Sequence, residues 1–203
     1  VKVSSQNTSD EEVEMAHSED DENVVTHIVT ISATEKIGLA TFIRNGWLWV
    51  IMDRSDLRVP PVLSGPEKEK FSSFEQIPLN GGVAYRTPLP EDMDLAVYGE
   101  GGGLVWRLIL TPKDVVLQPV DIKRVFRRDD EVFGGTLIWR LSGHTKLLDI
   151  TDPSIGDLMR VITVERSDMN GGPATNHVEF ETLAAPVGMV IIPKVDDLKV
   201  SLN

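Results

Sequence analysis

Apolar and polar positions alternate in short runs along most of this chain, and nearly every run stops at Gly, Pro, Asn or Asp. From Val24 onward, "VVTHIVTIS" is short and rich in β-branched residues, which predicts a strand. "GLATFIR", then Asn45-Gly46, then "WLWVIMD" predicts a hairpin, because Asn-Gly suits the positive φ angles of a type I′ turn. In the second arm Trp47, Trp49 and Ile51 share one face, and Leu48, Val50 and Met52 share the other. Both faces are apolar, so this strand is expected to be covered on both sides. Pro60-Pro61 breaks the pattern, and Lys68 to Phe74 is the single modest helix candidate.

Strand-like runs then resume as "EQIPL", "GVAYRT", "DLAVYG", "GLVWRLIL", "VVLQPVDIKRVF", "GTLIWRL", "TKLLDI", "LMRVITVER", "TNHVEFETL", "VGMVIIP" and "LKVSL". Strands spaced about ten residues apart with turn signals between them indicate an all-β chain, an antiparallel sandwich or a propeller-like array of short strands. No stretch holds a helical period. "LVWRL" at Leu104–Leu108 is echoed by "LIWRL" at Leu137–Leu141, each after glycines. That echo divides the reading into one domain over 24–203 or two packed halves with a boundary near 113–130.

Charge changes the picture at one end. The formal net charge is -12, and Asp10 to Glu22 carries eight of the acids with no base among them. Such a run predicts a solvated, disordered tail over 1–23 that does not join the core. No basic stripe exists to neutralise phosphates, so nucleic acid is not an expected partner. No apolar run reaches the length of a membrane span. At 203 residues a core can be built without staples, and the absence of cysteine excludes disulfides and thiolate chemistry. The opening Val1 and the strand-like end "DDLKVSLN" suggest a piece of a longer chain.

Several constellations invite chemistry, and each has a plainer reading. Trp47 and Trp49 would suit a stacking platform for sugars, but indoles alternating with aliphatics are expected to fill a core. "GEGGG" at Gly99–Gly103 precedes a strand, not a helix, and is expected to be a flexible hairpin loop and not a phosphate loop. Asp149, Asp152 and Asp157 in "DITDPSIGD" would suit a hard cation, but Asp152-Pro153 and Gly156 fit a turn with Asp capping its own backbone. His17, His27, His144 and His177 lack metal-ligand spacing. Ser142, His144 and Asp149 lie too close in sequence on a strand end to make a triad. Asn7-Thr8-Ser9 matches a glycosylation sequon in a polar tail, and Asp196-Asp197 reads as a polar turn. The sequence therefore nominates no catalytic, cofactor-binding or metal-ligating residue, and implies no cofactor.

"LATFIRNGWLWVIMDR" resembles the a-x-F-x-R-x-G-x-L-W-v-v-F-D stretch near the start of large uncharacterised α-proteobacterial envelope proteins that carry tetratricopeptide repeats. "LLDITDPSIGDLMRVITV" and "VEFETLAAPVGMVIIPKVDDLKV" resemble two later segments of that group, in order and with similar spacing over 24–203. Met52 stands where the group has an aromatic, and Ala184-Ala185-Pro186 replaces a Thr-containing turn. The resemblance implies the N-terminal β-rich region of an exported, periplasmic or envelope-associated protein, and it transfers no catalytic residue. The leading expectation is a non-catalytic protein-interaction or scaffold domain whose partner is an envelope protein. The alternatives are a glycan or peptidoglycan binding module and, further down, a carboxylate-dependent glycan-processing enzyme.

Overall fold

The computed structural model describes residues 27–56, 61–65, 73–113, 139, 141–169 and 171–202. The acidic tail, the sequon at Asn7, His17, most of the 113–130 segment and Lys68–Ser72 lie outside them. Phe74, at the end of the helix candidate, is in irregular structure just before a strand.

Thirteen strands and no helix make up the described residues. They are β1 His27–Ser32, β2 Leu39–Arg44, β3 Trp47–Met52, β4 Val62–Ser64, β5 Glu75–Ile77, β6 Val83–Pro88 and β7 Met93–Glu100. After these come β8 Val105–Pro112, β9 His144–Thr151, β10 Leu158–Val164, β11 Thr175–Asn176, β12 Phe180–Leu183 and β13 Met189–Pro193. Every strand pairing is antiparallel. One sheet runs β4-β1-β8-β7, and the other runs β11-β12-β13-β10-β2-β3-β6-β5 with β9 beside β10.

The β2–β3 hairpin forms as its sequence predicts. Asn45 and Gly46 have φ of 49° and 74°, the two positive angles of a type I′ turn, and Arg44 pairs with Trp47 across it. The hairpin then separates two cores. Leu39, Leu48, Val50 and Met52 face Val29, Leu95, Trp106 and Leu108 of the smaller sheet. Ala40, Phe42, Trp49 and Ile51 face Leu148, Ile150, Met159, Val161 and Val190 of β9, β10 and β13. Strand β3 is thus covered on both sides, and burying each large aliphatic contributes about 1.5–3 kcal/mol.

The larger sheet turns over on itself where β2 meets β10. Leu39 pairs with Val164, and Thr41 bridges Val187. Gly188 allows this approach. Its φ is +75°, and a Cβ there would lie 2.6 Å from both Ala40 Cβ and the Ile162 carbonyl. The core against β9, β10 and β13 therefore draws on strands from both sides of the 113–130 segment. On the outer face of β10 and β13, a third cluster places Ile162, Met189, Ile191 and Phe180 under Trp139, Leu198 and Val200.

Candidate functional site

The richest polar constellation lies at the end of the core that the β2–β3 hairpin closes. Residues directly opposite one another in an antiparallel ladder share a face. Phe42 is opposite Trp49, Trp49 is opposite Arg86, and Arg86 is opposite Glu75. Phe42 stacks on Trp49 with centroids 5.8 Å apart and planes at 7°. The Arg86 guanidinium carbon sits 4.3 Å from the Trp47 ring centre and 5.5 Å from that of Trp49. Arg86 is thereby held over the indole faces, where ring quadrupoles attract a cation.

The β9–β10 turn supplies the acids. Asp152 folds the turn around itself: its Oδ1 accepts from Ser154 N at 2.9 Å, and its carbonyl accepts from Gly156 N at 2.7 Å. Across the ends of the turn, Asp152 N donates to the Asp157 carbonyl at 3.0 Å. This is the self-capping turn that the sequence suggested. It also aims two carboxylates at the hairpin. Arg44 donates from Nη1 to Asp152 Oδ2 and to Asp157 Oδ1, each at 2.9 Å, and from Nη2 to Asp157 Oδ2 at 2.5 Å. Arg86 reaches Ser154 Oγ at 2.7 Å, Asp152 Oδ1 at 3.4 Å and Glu75 Oε2 at 2.8 Å.

The hydrogen bonds from Arg44 hold the Asp157 carboxyl below its ordinary range, with burial opposing the shift. The bond to Asp157 raises Arg44 in turn, against burial. Asp152 is 3% exposed, and both of its oxygens accept from arginine. The Asp152 and Asp157 carboxylates already bridge to guanidinium, so the arrangement clamps β2 and β6 to the β9–β10 turn. Asp149 stands apart on β9, exposed, with Arg160 Nε 3.9 Å away. Sequence reading singled out the two acids of the turn but missed Arg44 and Arg86. No local signal marks them: Arg44 ends β2, and Arg86 lies between Tyr85 and Thr87 on β6.

A second polar knot ties the other end of the same core. Asp53 Oδ1 accepts from Gly38 N at 2.9 Å, and Lys146 Nζ donates to the carbonyls of Asp53 at 2.6 Å and Gly81 at 2.9 Å. Gly38 is required, since a Cβ there would lie 2.0 Å from Thr145 Oγ1.

The remaining candidates are placed as follows. Trp49 and Trp106 are fully buried and Trp47 is half-buried. Trp106 Nε1 donates to the Ile37 carbonyl at 3.0 Å. Trp49 Nε1 has no acceptor among the described residues, and the ring is held by its faces instead, stacked on Phe42 with the Arg86 guanidinium carbon 5.5 Å from its centre. Gly101, Gly102 and Gly103 have φ of +63°, +64° and +98° and form the β7–β8 turn. That turn is anchored, not loose: Ile37 N donates to the Gly103 carbonyl at 2.8 Å. His144 Nδ1 lies 2.9 Å from the Leu141 carbonyl, His27 is buried, and His177 stacks on Phe180 with centroids 4.4 Å apart. Asp196 and Asp197 lie in a polar turn after β13. Among the described residues no group of three or more His, Asp or Glu is disposed to hold a metal ion.

The surface feature with a binding geometry is a sheet edge. Among the described residues β7 pairs with β8 alone, over its whole length. Strand β9 also has one neighbour, but Lys146 near its start and Asp152 just past its end are bonded to the opposing strands and turns. In β7 the alternation of an antiparallel ladder fixes which groups point outward. Lys113 N donates to the Asp92 carbonyl at 2.7 Å, so Asp94, Ala96, Tyr98 and Glu100 bond to β8. Met93, Leu95, Val97 and Gly99 direct their amides away from it. Two of those outward N–H groups are used locally, Met93 by the Pro90 carbonyl at 3.2 Å and Leu95 by Asp94 Oδ1 at 2.8 Å.

No helix of the described residues is long and apolar enough to cross a membrane. The chain matches no family model, no curated protein and no solved structure.

Proposed function

We propose that this chain is a non-catalytic protein-interaction domain of a bacterial cell-envelope protein, and that it engages its partner along β7. The observation that carries the reading is the one-sided pairing of β7. Among the described residues β7 is eight residues long with a single hydrogen-bonded neighbour, and such an edge presents backbone groups that an extended segment of another protein can extend. Val97 supports this: its side chain joins the core between the sheets, yet it is only half-buried at the rim. The acids that would serve catalysis best by position, Asp152 and Asp157, are engaged by arginine. The envelope setting rests on the resemblance of "LATFIRNGWLWVIMDR" and the two later segments to repeat-bearing envelope proteins.

The test is crosslinking in the cells that make the parent protein, with this domain tagged in place and products read by mass spectrometry. A short, reproducible set of envelope proteins is expected. An absence of protein adducts together with retained cell-wall fragments would overturn the reading.

That second outcome would favour glycan binding, for which one observation speaks. Trp47 is half-buried at the hairpin end beside Arg86 and near Glu75, whose side chain is 50% exposed. An indole edged by polar groups suits a sugar. Arg86 already occupies one indole face at 4.3 Å, which places this reading second. Co-sedimentation with sacculi tests it, with Trp47→Ala expected to abolish any binding.

A further inference from the structure

The β7 edge is partly closed by one of its own side chains, and the groups around it select what opens it. Asp94 Oδ1 accepts the outward N–H of Leu95 at 2.8 Å, so an incoming strand meets a carboxylate where it needs a donor. Beyond Leu95, Val97 and Gly99 point their N–H groups off the edge, and among the described residues neither is engaged by a neighbouring turn or side chain. Glu91, Asp92 and Asp94 are all exposed at the N-terminal end of β7, with Lys113 the base nearest in register. At the other end Arg107 donates to Glu100 at 2.6 Å and leaves that end nearly neutral. The edge is therefore acidic at one end only.

This polarity argues against a second copy of the same chain as the occupant. Two β7 strands paired antiparallel about Val97 would set Asp94 of each across from the nearly neutral Glu100 end of the other, so self-pairing brings no free cation to the acidic end. It argues for an extended segment of a partner protein with lysine or arginine at one end. Running antiparallel to β7, such a segment brings its C-terminal end beside Glu91, Asp92 and Asp94.

Resting on the reading of β7 as the interaction edge, we propose that Asp94 is a gate selective for basic strands. A cationic side chain of the incoming segment pairs with the Asp94 carboxylate, draws it off the Leu95 N–H, and frees that donor for the new ladder. A neutral segment must displace the carboxylate without compensation. An acidic segment is repelled.

The test uses the full chain, isotope-labelled for NMR, and two synthetic peptides of alternating valine and threonine. One ends in paired lysines, the other in paired glutamines. The lysine peptide is expected to shift the Val97 and Gly99 amides and to bind about fivefold tighter than the glutamine peptide at low salt. In Asp94→Ala, an exposed substitution, the glutamine peptide should gain and the difference should largely vanish. Val97→Pro removes an outward N–H that β8 does not use and should abolish binding, with far-UV circular dichroism reporting that the fold is kept. Equal binding of both peptides to the wild type would overturn the gate while leaving the β7 edge as a strand acceptor. A lysine preference as large in Asp94→Ala as in the wild type would also overturn it. If neither peptide moves the β7 amides the inference fails, and the broader interaction reading is then decided by crosslinking alone.

Discussion

Asp152 is the residue on which most depends. It is 3% exposed, caps its own turn and accepts from both Arg44 and Arg86. Replacing it with Ala leaves two guanidinium groups in a mostly buried setting without their shared carboxylate, so Asp152→Ala should cost about 3–5 kcal/mol in urea unfolding. Asp157→Asn removes a more exposed partner and should cost less, but it should change the pH dependence. The Asp157 carboxyl is held below its ordinary value in the folded chain by Arg44. Its stabilising contribution is therefore complete above the usual carboxylate range and is lost as pH falls through the lowered folded value. Between about pH 6 and about pH 2 the wild type should lose more stability than Asp157→Asn, measured by urea midpoints. An equal loss would show that the clamp does not hold Asp157 ionised. These two acids were legible in the sequence as a turn, because Asp-Pro and Gly are local signals. Arg44 and Arg86 were not, because the carboxylate they share, Asp152, lies 108 and 66 positions away and nothing local marks such a pairing.

At the scale of elements, the β2–β3 hairpin was legible because its signals are local: Asn-Gly fixes the turn and the apolar pattern fixes both faces. The fate of each indole was only half legible. Trp49 is fully buried and stacked, while Trp47, on the same face, sits half-buried where the core ends. Trp49→Ala should cost about 3–5 kcal/mol, and Trp47→Ala clearly less, in the same unfolding measurement. Gly188 was silent in the sequence because its demand comes from another strand, Ala40 on β2. Gly188→Ala combines a left-handed φ with a contact against backbone, and should cost about 2–4 kcal/mol. Gly46→Ala has open space around its Cβ and only the φ penalty, about 1 kcal/mol. Similar losses at the two glycines would contradict the packing described where β2 meets β10.

Across the whole molecule, the all-β antiparallel class followed from short alternating runs and frequent turn residues, and that much is a sum of local signals. Sheet order is not. The pairing of β1 with β8 and of β2 with β10 joins segments far apart in the chain, and alternation alone cannot rank such partners. Which strand ends up at an edge depends on that order, so β7 read in the sequence as one strand among many. Among the described residues it is an eight-residue strand paired on one side only, with none of its side chains bonded to the other sheet. The proposed interaction is made along that edge. Its most direct test is position-specific photo-crosslinking in the cells that make the parent protein, with the crosslinker placed at Tyr98 on β7 or at Val178, which is 92% exposed beyond β11. We expect a defined protein adduct from Tyr98 that disappears in Val97→Pro, and none from Val178. Adducts of the same identity and yield from both positions, or none from Tyr98, would contradict it.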